Sequence, residues 1–383
     1  MTSKGPILIT GFNGYLGGRT AETALKSGYP VRGTVRKLES GQKTKDALVA
    51  LGYDAGLIDI VEVPVIAATG AFDKVVAGCS SVIHVAAPMG PDVMSLPPPE
   101  VVRIATDATT GIVDSALRHA GPGLQSIVLM SSAGTLTDFP PRTGFFDETH
   151  WAEGPYNIVT NPEALAKIEP QELKPMLAYL AAKTGSERAF WRKKEELAAG
   201  GGDMSKVSFT ALQAPWFIGP PIVPWESAEA LPYSASFVHR VLAGEDPAAC
   251  RMGFPTAPND ASVDVRDVAR VLVWAALNPD KADGERFMCS GATGGAQAVA
   301  DILDRESQAG GGSGSVPELK GYVVKNKGTP GQWYNPDYSV ITDGSVLEFD
   351  GSKVTRATGQ DYIPFEKSVL DTVKAAFPLV VKT

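Results

Sequence analysis

The sequence predicts an α/β protein built on a parallel sheet, and three observations lead there. A short apolar run, Ile7-Leu8-Ile9-Thr10, passes directly into a glycine-rich turn and then a helical pattern. Similar strand-like runs recur at 30–36, 59–65, 81–85, 124–130 and 207–212. Most are separated by stretches long enough for crossover helices, the alternation that marks a parallel sheet. At 383 residues the chain can bury the core of one large domain or two modest ones.

The first strand, 6–10, runs into Gly11-Phe12-Asn13-Gly14-Tyr15-Leu16-Gly17-Gly18. In the helix that follows, Leu16, Thr20, Thr23, Ala24 and Leu25 line one face. Strand, glycine turn and helix together give a glycine fingerprint its meaning. Gly11 allows the tight turn, Gly14 lets a pyrophosphate approach the backbone, and Gly17 permits close packing of helix on strand. The helix N-terminus offers amides and positive partial charge to phosphates. Thr10, Gly11, Phe12, Asn13, Gly14, Tyr15, Leu16 and Gly17 are therefore candidate dinucleotide-binding residues. The second strand ends in Arg36-Lys37. An acid there would bond an adenosine ribose hydroxyl, whereas an arginine matches a 2′-phosphate in charge and geometry, which predicts NADP(H).

Residues 59–65 form the third strand and its exit, and 71–77 are expected to be a short helix. The strand at 81–85 enters a small-residue turn in which Ala86 and Ala87 let a cofactor lie close. His84 within it is expected to be packed and hydrogen-bonded rather than catalytic. Met89 to Pro99 is proline-rich and expected to be an irregular flap, followed by a crossover helix over 101–120. The strand at 124–130 delivers Ser131 and Ser132 to its C-terminal end, where open α/β sheets place ligands. A serine pair in such a place serves turn chemistry as readily as catalysis.

The long stretch from Leu136 to Met176 has little period and many prolines. Its aromatic residues Phe139, Phe145, Phe146, Trp151 and Tyr156 favour an ordered cover over a linker, and His150 could bind substrate or serve as a turn residue. Tyr179 and Lys183 then lie four apart on a helix, one turn above the other. A phenol beside an ammonium group has a lowered pKa and can exchange a proton with a carbonyl oxygen or an alcohol. The pair alone is common on any exposed helix. That helix is expected to run to Leu197 and stop at 200–203. Another strand, 207–212, leads into Gln213-Ala214-Pro215-Trp216-Phe217-Ile218-Gly219. After Ser262-Val263-Asp264, Asp267 sits as a helix-start residue, and both aspartates are expected to be structural. Residues 309–315 are Gly/Ser-rich and expected to form a mobile loop.

A formal net charge of −8 argues against nucleic acid or an anionic membrane as the main partner. Cys79, Cys250 and Cys289 are few and far apart, which argues against a disulfide framework and suits a reducing compartment. No apolar run approaches the ~18 residues needed to span a bilayer. With a strand starting at Ile7, no signal peptide is expected, and the chain is expected to be soluble and cytoplasmic.

The segments TGFNGYLG, VRGTVRK, VIHVAAP, LMSSAGT, YLAAKTGSERAFW, PWFIGPP and VDVRDVAR occur in this order between residues 8 and about 270. Together they resemble the extended short-chain dehydrogenase/reductase superfamily, on the branch of dihydroflavonol-reductase-like and fungal ketone reductases. The resemblance implies a Rossmann-type doubly wound sheet with a smaller C-terminal α/β substrate lobe. It implies a dinucleotide-binding part of 1–214 with 262–289, and a substrate-binding part of 215–261 with 290–383. It implies Ser132, Tyr179 and Lys183 as the catalytic set, Ser132 being preferred because it precedes alanine. Lys43 falls where such reductases place a second phosphate-side lysine. Val65 stands where relatives often have aspartate, so the adenine would be met mainly by backbone. Pro215, Phe217 and Ile218 would wrap the nicotinamide, and Pro88, Met89, Ser132, Ala133 and Trp216 would face the substrate. The implied activity is NADPH-dependent reduction of a ketone or aldehyde, on a bulky and partly apolar metabolite, by a monomer or homodimer without a metal. A sugar-nucleotide epimerase or dehydratase, a hydroxysteroid-type dehydrogenase and a non-catalytic NADP(H) sensor are the competing readings on the same scaffold.

Overall fold

In the computed structural model, the described residues are 5–381 except 89, 201–205, 255–256 and 309–315. The predicted loop at 309–315, Met89 and most of the glycine stop at 200–203 therefore lie outside the described residues. Contacts divide the chain into two units, 1–140 with 148–213 and 269–287, and 141–147 with 214–268 and 288–383.

The first unit carries a seven-stranded sheet: β1 (Ile7–Thr10), β2 (Val31–Val35), β3 (Ile58–Glu62), β4 (Ser81–His84), β5 (Ser126–Met130), β6 (Ser208–Gln213) and β7 (Arg286–Met288). Their spatial order is β3-β2-β1-β4-β5-β6-β7. The β1–β2, β2–β3, β1–β4, β4–β5 and β5–β6 pairs are parallel. β1, β4, β5 and β6 are buried at every position, as continuous apolar strands covered on both faces should be. The order reverses between β1 and β4, which is where an open α/β sheet leaves a crevice at its strand C-termini. Tyr15–Lys26, Leu38–Ala50, Pro98–His119 and Lys174–Gly200 are the long helices of this unit. Proline in the first turn starts Pro98–His119, where no amide bond is lost.

Three sequence expectations are corrected here. Residues 71–77 are a run of turns, not a helix. The Val75 and Ala77 carbonyls at the end of this run accept the Arg32 guanidinium at 2.8 Å each. The flap at 89–99 is not wholly irregular: Pro91–Met94 is a helical turn, and the crossover helix already begins at Pro98. The stretch 136–176 contains a strand at Gly144–Phe146 and helices at Gly154–Thr160 and Pro162–Ala166, and the long helix begins at Lys174.

The second unit has a three-stranded sheet in which Ala261–Asp264 pairs in parallel with Trp216–Ile218 and antiparallel with Ala292–Thr293. Gly144–Phe146 pairs with Leu347–Phe349. These pairings place 141–147 and 262–268 with the second unit, where the sequence had assigned both to the first. Asp264 accepts the Arg266 amide at 2.8 Å and the Ser368 hydroxyl at 2.6 Å, and Asp267 accepts the Ile363 amide at 2.7 Å. Both aspartates thus tie chain segments together. Glu348, 1 % exposed, receives the Thr293 hydroxyl, and burial, aided by nearby Asp260, pushes its carboxyl up to about 8.

The folded protein therefore holds the Glu348 proton more tightly than the unfolded chain, whose value is near the ordinary 4.5. The stability from this group is complete below that value and is lost as pH rises towards about 8. Denaturant titrations should show unfolding free energy falling by up to ~1.4 kcal/mol per pH unit across that window. In Glu348→Gln this component of the slope should vanish.

Candidate active site

Gly11 has φ 67°, a left-handed conformation that suits glycine, and it turns the chain sharply out of β1. A Cβ on Gly17 would lie 2.0 Å from the Gly11 carbonyl oxygen, so no side chain fits between this helix and the turn. Gly14 caps Tyr15–Lys26 with no side-chain hydrogen bond and no acid stands in its first turn, as an anion-binding helix end requires. Asn13 and Gly14 are exposed and Tyr15 is half-buried. Phe12 and Leu16 point into the core, Phe12 under Gly33, so they can offer only backbone to a ligand. Arg36 stands exposed at the end of β2 and has no partner among the described residues. Lys43 and Val65 are exposed as well, Val65 by 62 %.

Thr10 is buried, and its hydroxyl serves as a joint. Its Oγ1 accepts the Val85 and Ala86 amides at 3.0 Å each and lies 2.9 Å from His84 Nδ1. With both acceptor directions taken, the hydroxyl proton goes to His84 Nδ1, which places the imidazole proton on Nε2. Burial, together with the Lys183 charge, pushes His84 down to about 3, so the ring is neutral. Ala86, Ala87 and Pro88 follow, and with His84, Thr109, Met130, Ser131 and Lys183 they line a small recess.

The helix Lys174–Gly200 carries Tyr179 and Lys183, packed along Pro98–His119 through Leu177, Ala178, Ala181 and Ala182. The Tyr179 hydroxyl donates to Ser132 Oγ at 3.3 Å, and Ser132 Oγ also accepts the Gly134 amide at 3.1 Å. The proton of Ser132 has no partner among the described residues, so it can be donated to an added oxygen. Ser131 does not face Tyr179; its hydroxyl is given to Glu187. Ala133 is buried at the head of the next turn.

Lysine does not lower the tyrosine pKa here, contrary to expectation. The phenol is raised by burial, opposed only by the Ser132 hydrogen bond. The Lys183 ammonium is instead 3.4 Å from the Met130 carbonyl, and burial pushes it down to about 8 against the opposing pull of Glu187. A raised tyrosine stays protonated through the neutral range, which suits a proton donor.

Pro215, Trp216, Phe217 and Ile218 belong to the second unit. Pro215 and Ile218 are buried, and the Trp216 indole donates to the Asn259 carbonyl at 3.1 Å and packs edge-on against Tyr233.

Sequence reasoning missed Glu187 and Arg286. Glu187, fully buried, accepts Arg286 Nε at 2.7 Å, Gln213 Nε2 at 2.8 Å, Thr135 Oγ1 at 3.0 Å and the Ser131 hydroxyl. Its position four residues beyond Lys183 on the same helix was the available signal.

The residues at β1, β2 and the glycine turn fit a dinucleotide with an added phosphate. A family model described as "NAD dependent epimerase/dehydratase family" matches residues 7–289. The chain is 27 % identical to ketoreductase CTB6 of Cercospora nicotianae, covering 98 % of this chain and 96 % of that one. It is 25 % identical to the NADPH-dependent methylglyoxal reductase GRE2 of Saccharomyces cerevisiae, covering 96 % of each. The crystal structure of yeast methylglyoxal/isovaleraldehyde reductase Gre2 complexed with NADPH superposes with a TM-score of 0.73 at 21 % identity, over 99 % of this chain and 100 % of that one.

Proposed function

This chain belongs to the NAD dependent epimerase/dehydratase family, and from that premise we propose that it is an NADPH-dependent reductase of ketones or aldehydes. The observation that carries the reading is the Tyr179 hydroxyl 3.3 Å from Ser132 Oγ at the C-terminal end of β5, with Lys183 one turn along the same helix. Its relatives include proteins named as a ketoreductase and as an NADPH-dependent reductase, which supports the same class.

Bound NADPH supplies the hydride that reduces the carbonyl carbon. Gly11, Gly14 and the amides that open Tyr15–Lys26 would receive the pyrophosphate, with Gly17 letting the helix pack close, and Arg36 the 2′-phosphate, with Lys43 as a second cation. Ala86 and Ala87 leave the strand end open to the nicotinamide half. Tyr179 gives its proton to the carbonyl oxygen as negative charge develops there. Ser132 donates its uncommitted hydrogen to the same oxygen. Lys183 is proposed to hold the ribose hydroxyls of the bound cofactor. The substrate class proposed is a bulky, partly apolar carbonyl compound. Exposed Arg36, where a ribose-binding acid would otherwise stand, weighs against an epimerase with tightly held NAD.

Tyr179→Phe should retain NADPH binding by fluorescence titration and lose turnover by ~100-fold or more; an unimpaired variant would remove the proposed acid. Ser132→Ala should lose ~10²–10³-fold in kcat and exceed Ser131→Ala in damage, the reverse order reassigning the serine. Arg36→Ala should weaken NADPH at least ~10-fold while leaving NADH nearly unchanged in side-by-side calorimetry. Equal losses would end the phosphate assignment, and a wild-type preference for NADH would restore the epimerase reading.

A further inference from the structure

Glu187 and Arg286 form a buried ion pair that touches neither the expected substrate position nor the glycine turn. We propose that this pair positions the tyrosine–serine–lysine site, fixing the aim of Ser132 and, through the Glu187 carboxylate one turn beyond Lys183, the charge surroundings of that lysine. The inference rests on the reading of that site as a carbonyl-reducing one.

The Glu187 carboxylate is saturated by donors. Oε1 takes Arg286 Nε at 2.7 Å, Gln213 Nε2 at 2.8 Å and Trp191 Nε1 at 3.4 Å. Oε2 takes the Ser131 hydroxyl and Thr135 Oγ1 at 3.0 Å. The single Thr135 hydroxyl proton is shared between Glu187 Oε2 and the Ser132 carbonyl oxygen, 2.8 Å away. Ser132 is therefore gripped on both sides, by the residue before it and by the turn that follows it. One carboxylate sets the backbone from which Ser132 Oγ meets Tyr179.

Arg286 holds the other end. Its Nη1 donates to the Glu148 and His150 carbonyls at 2.5 and 2.7 Å, and Nη2 to Thr135 Oγ1 at 3.2 Å. Its guanidinium stacks on Trp151 at 3.9 Å. A single cation thus joins the 148–151 segment, the serine turn and the catalytic helix. Four donors in a fixed plane suit arginine and no other side chain.

The charge environment of Lys183 supports the second half of the proposal. His84 faces it from β4 and is neutral, Tyr179 and Glu187 share its helix, and Glu187 is the carboxylate whose charge favours the ammonium. Glutamine at 187 can accept on one side only. Its amide nitrogen would have to face Ser131 and Thr135, whose hydroxyls would then have to turn over.

The test uses Glu187→Gln, Arg286→Met and the double variant in the full-length protein, with folding checked by circular dichroism. Competitive labelling of Lys183 by an amine reagent across pH, read by mass spectrometry, gives its titration without any need for turnover. Glu187→Gln should titrate Lys183 lower by about one pH unit. Where NADPH-dependent reduction is measured, kcat should fall ~10–100-fold with the KM for NADPH little changed. The alkaline limb of kcat should move to lower pH with Lys183. The double variant leaves no unpaired buried charge, so its melting temperature should recover relative to the single variants. Its Lys183 titration and kcat should stay impaired.

A purely structural pair would behave otherwise, with kcat recovering alongside melting temperature in the double variant, and that result overturns the proposal. So does an unchanged Lys183 titration in either folded Glu187 variant, whether or not turnover is found. A wild-type protein that reduces no carbonyl with NADPH would instead retract the function reading, and the labelling comparison would still decide the effect on Lys183.

Discussion

Two neighbouring strands of a parallel sheet can part at their carboxyl ends only if something receives the amides that lose their ladder partners. Here that task falls to one hydroxyl. Beyond Thr10 the chain turns away through Gly11, and the Val85 and Ala86 amides would be stranded without Thr10 Oγ1. The hydroxyl proton then goes to His84, so β1 and β4 remain joined at the point where the strand order reverses. The crevice opens there, and the glycine turn, the Ala86-Ala87 edge and the serine turn at β5 are all arranged around it.

The second constraint is the cost of burying charge beneath a reaction centre. Lys183 loses solvent on the long helix and is depressed to about 8, so its charge depends on its neighbours. A neutral His84 on one side and a carboxylate on the other preserve it. Tyr179 is subject to the same desolvation with the opposite consequence, since burial of a phenol favours its protonated form. One dry environment therefore sets up an acid that keeps its proton beside a base that is close to losing one.

Much of the sheet was legible because β1, β4 and β5 are short, mostly apolar runs bounded by turn residues, and because the glycine turn is local. The residues of the candidate site were legible for the same reason: Tyr179 and Lys183 are a turn apart, and Ser131-Ser132 stands at a strand end. What was not legible depends on partners remote in sequence. Residues 71–77 fold as turns whose Val75 and Ala77 carbonyls accept Arg32, a partner remote in sequence. Gly144–Phe146 is too short to show a period and exists as a strand because Leu347–Phe349 pairs with it. The expected pull of Lys183 on the Tyr179 pKa followed from spacing alone, and spacing does not report where a flexible ammonium points or how dry its surroundings are.

Arg286 follows Glu187 by 99 residues, and the segment containing it reaches the first unit only after the chain has passed through much of the second. A ribosome therefore builds Trp216–Ile218 and Ala261–Asp264 of the second unit before the first unit's last strand exists. Until then the nascent chain carries Glu187 without its cation, in a state where water is a better environment for that carboxylate than the core. The order of synthesis thus opposes early closure of the N-terminal half, and any fragment ending before residue 286 lacks the charge its interior was shaped to hold.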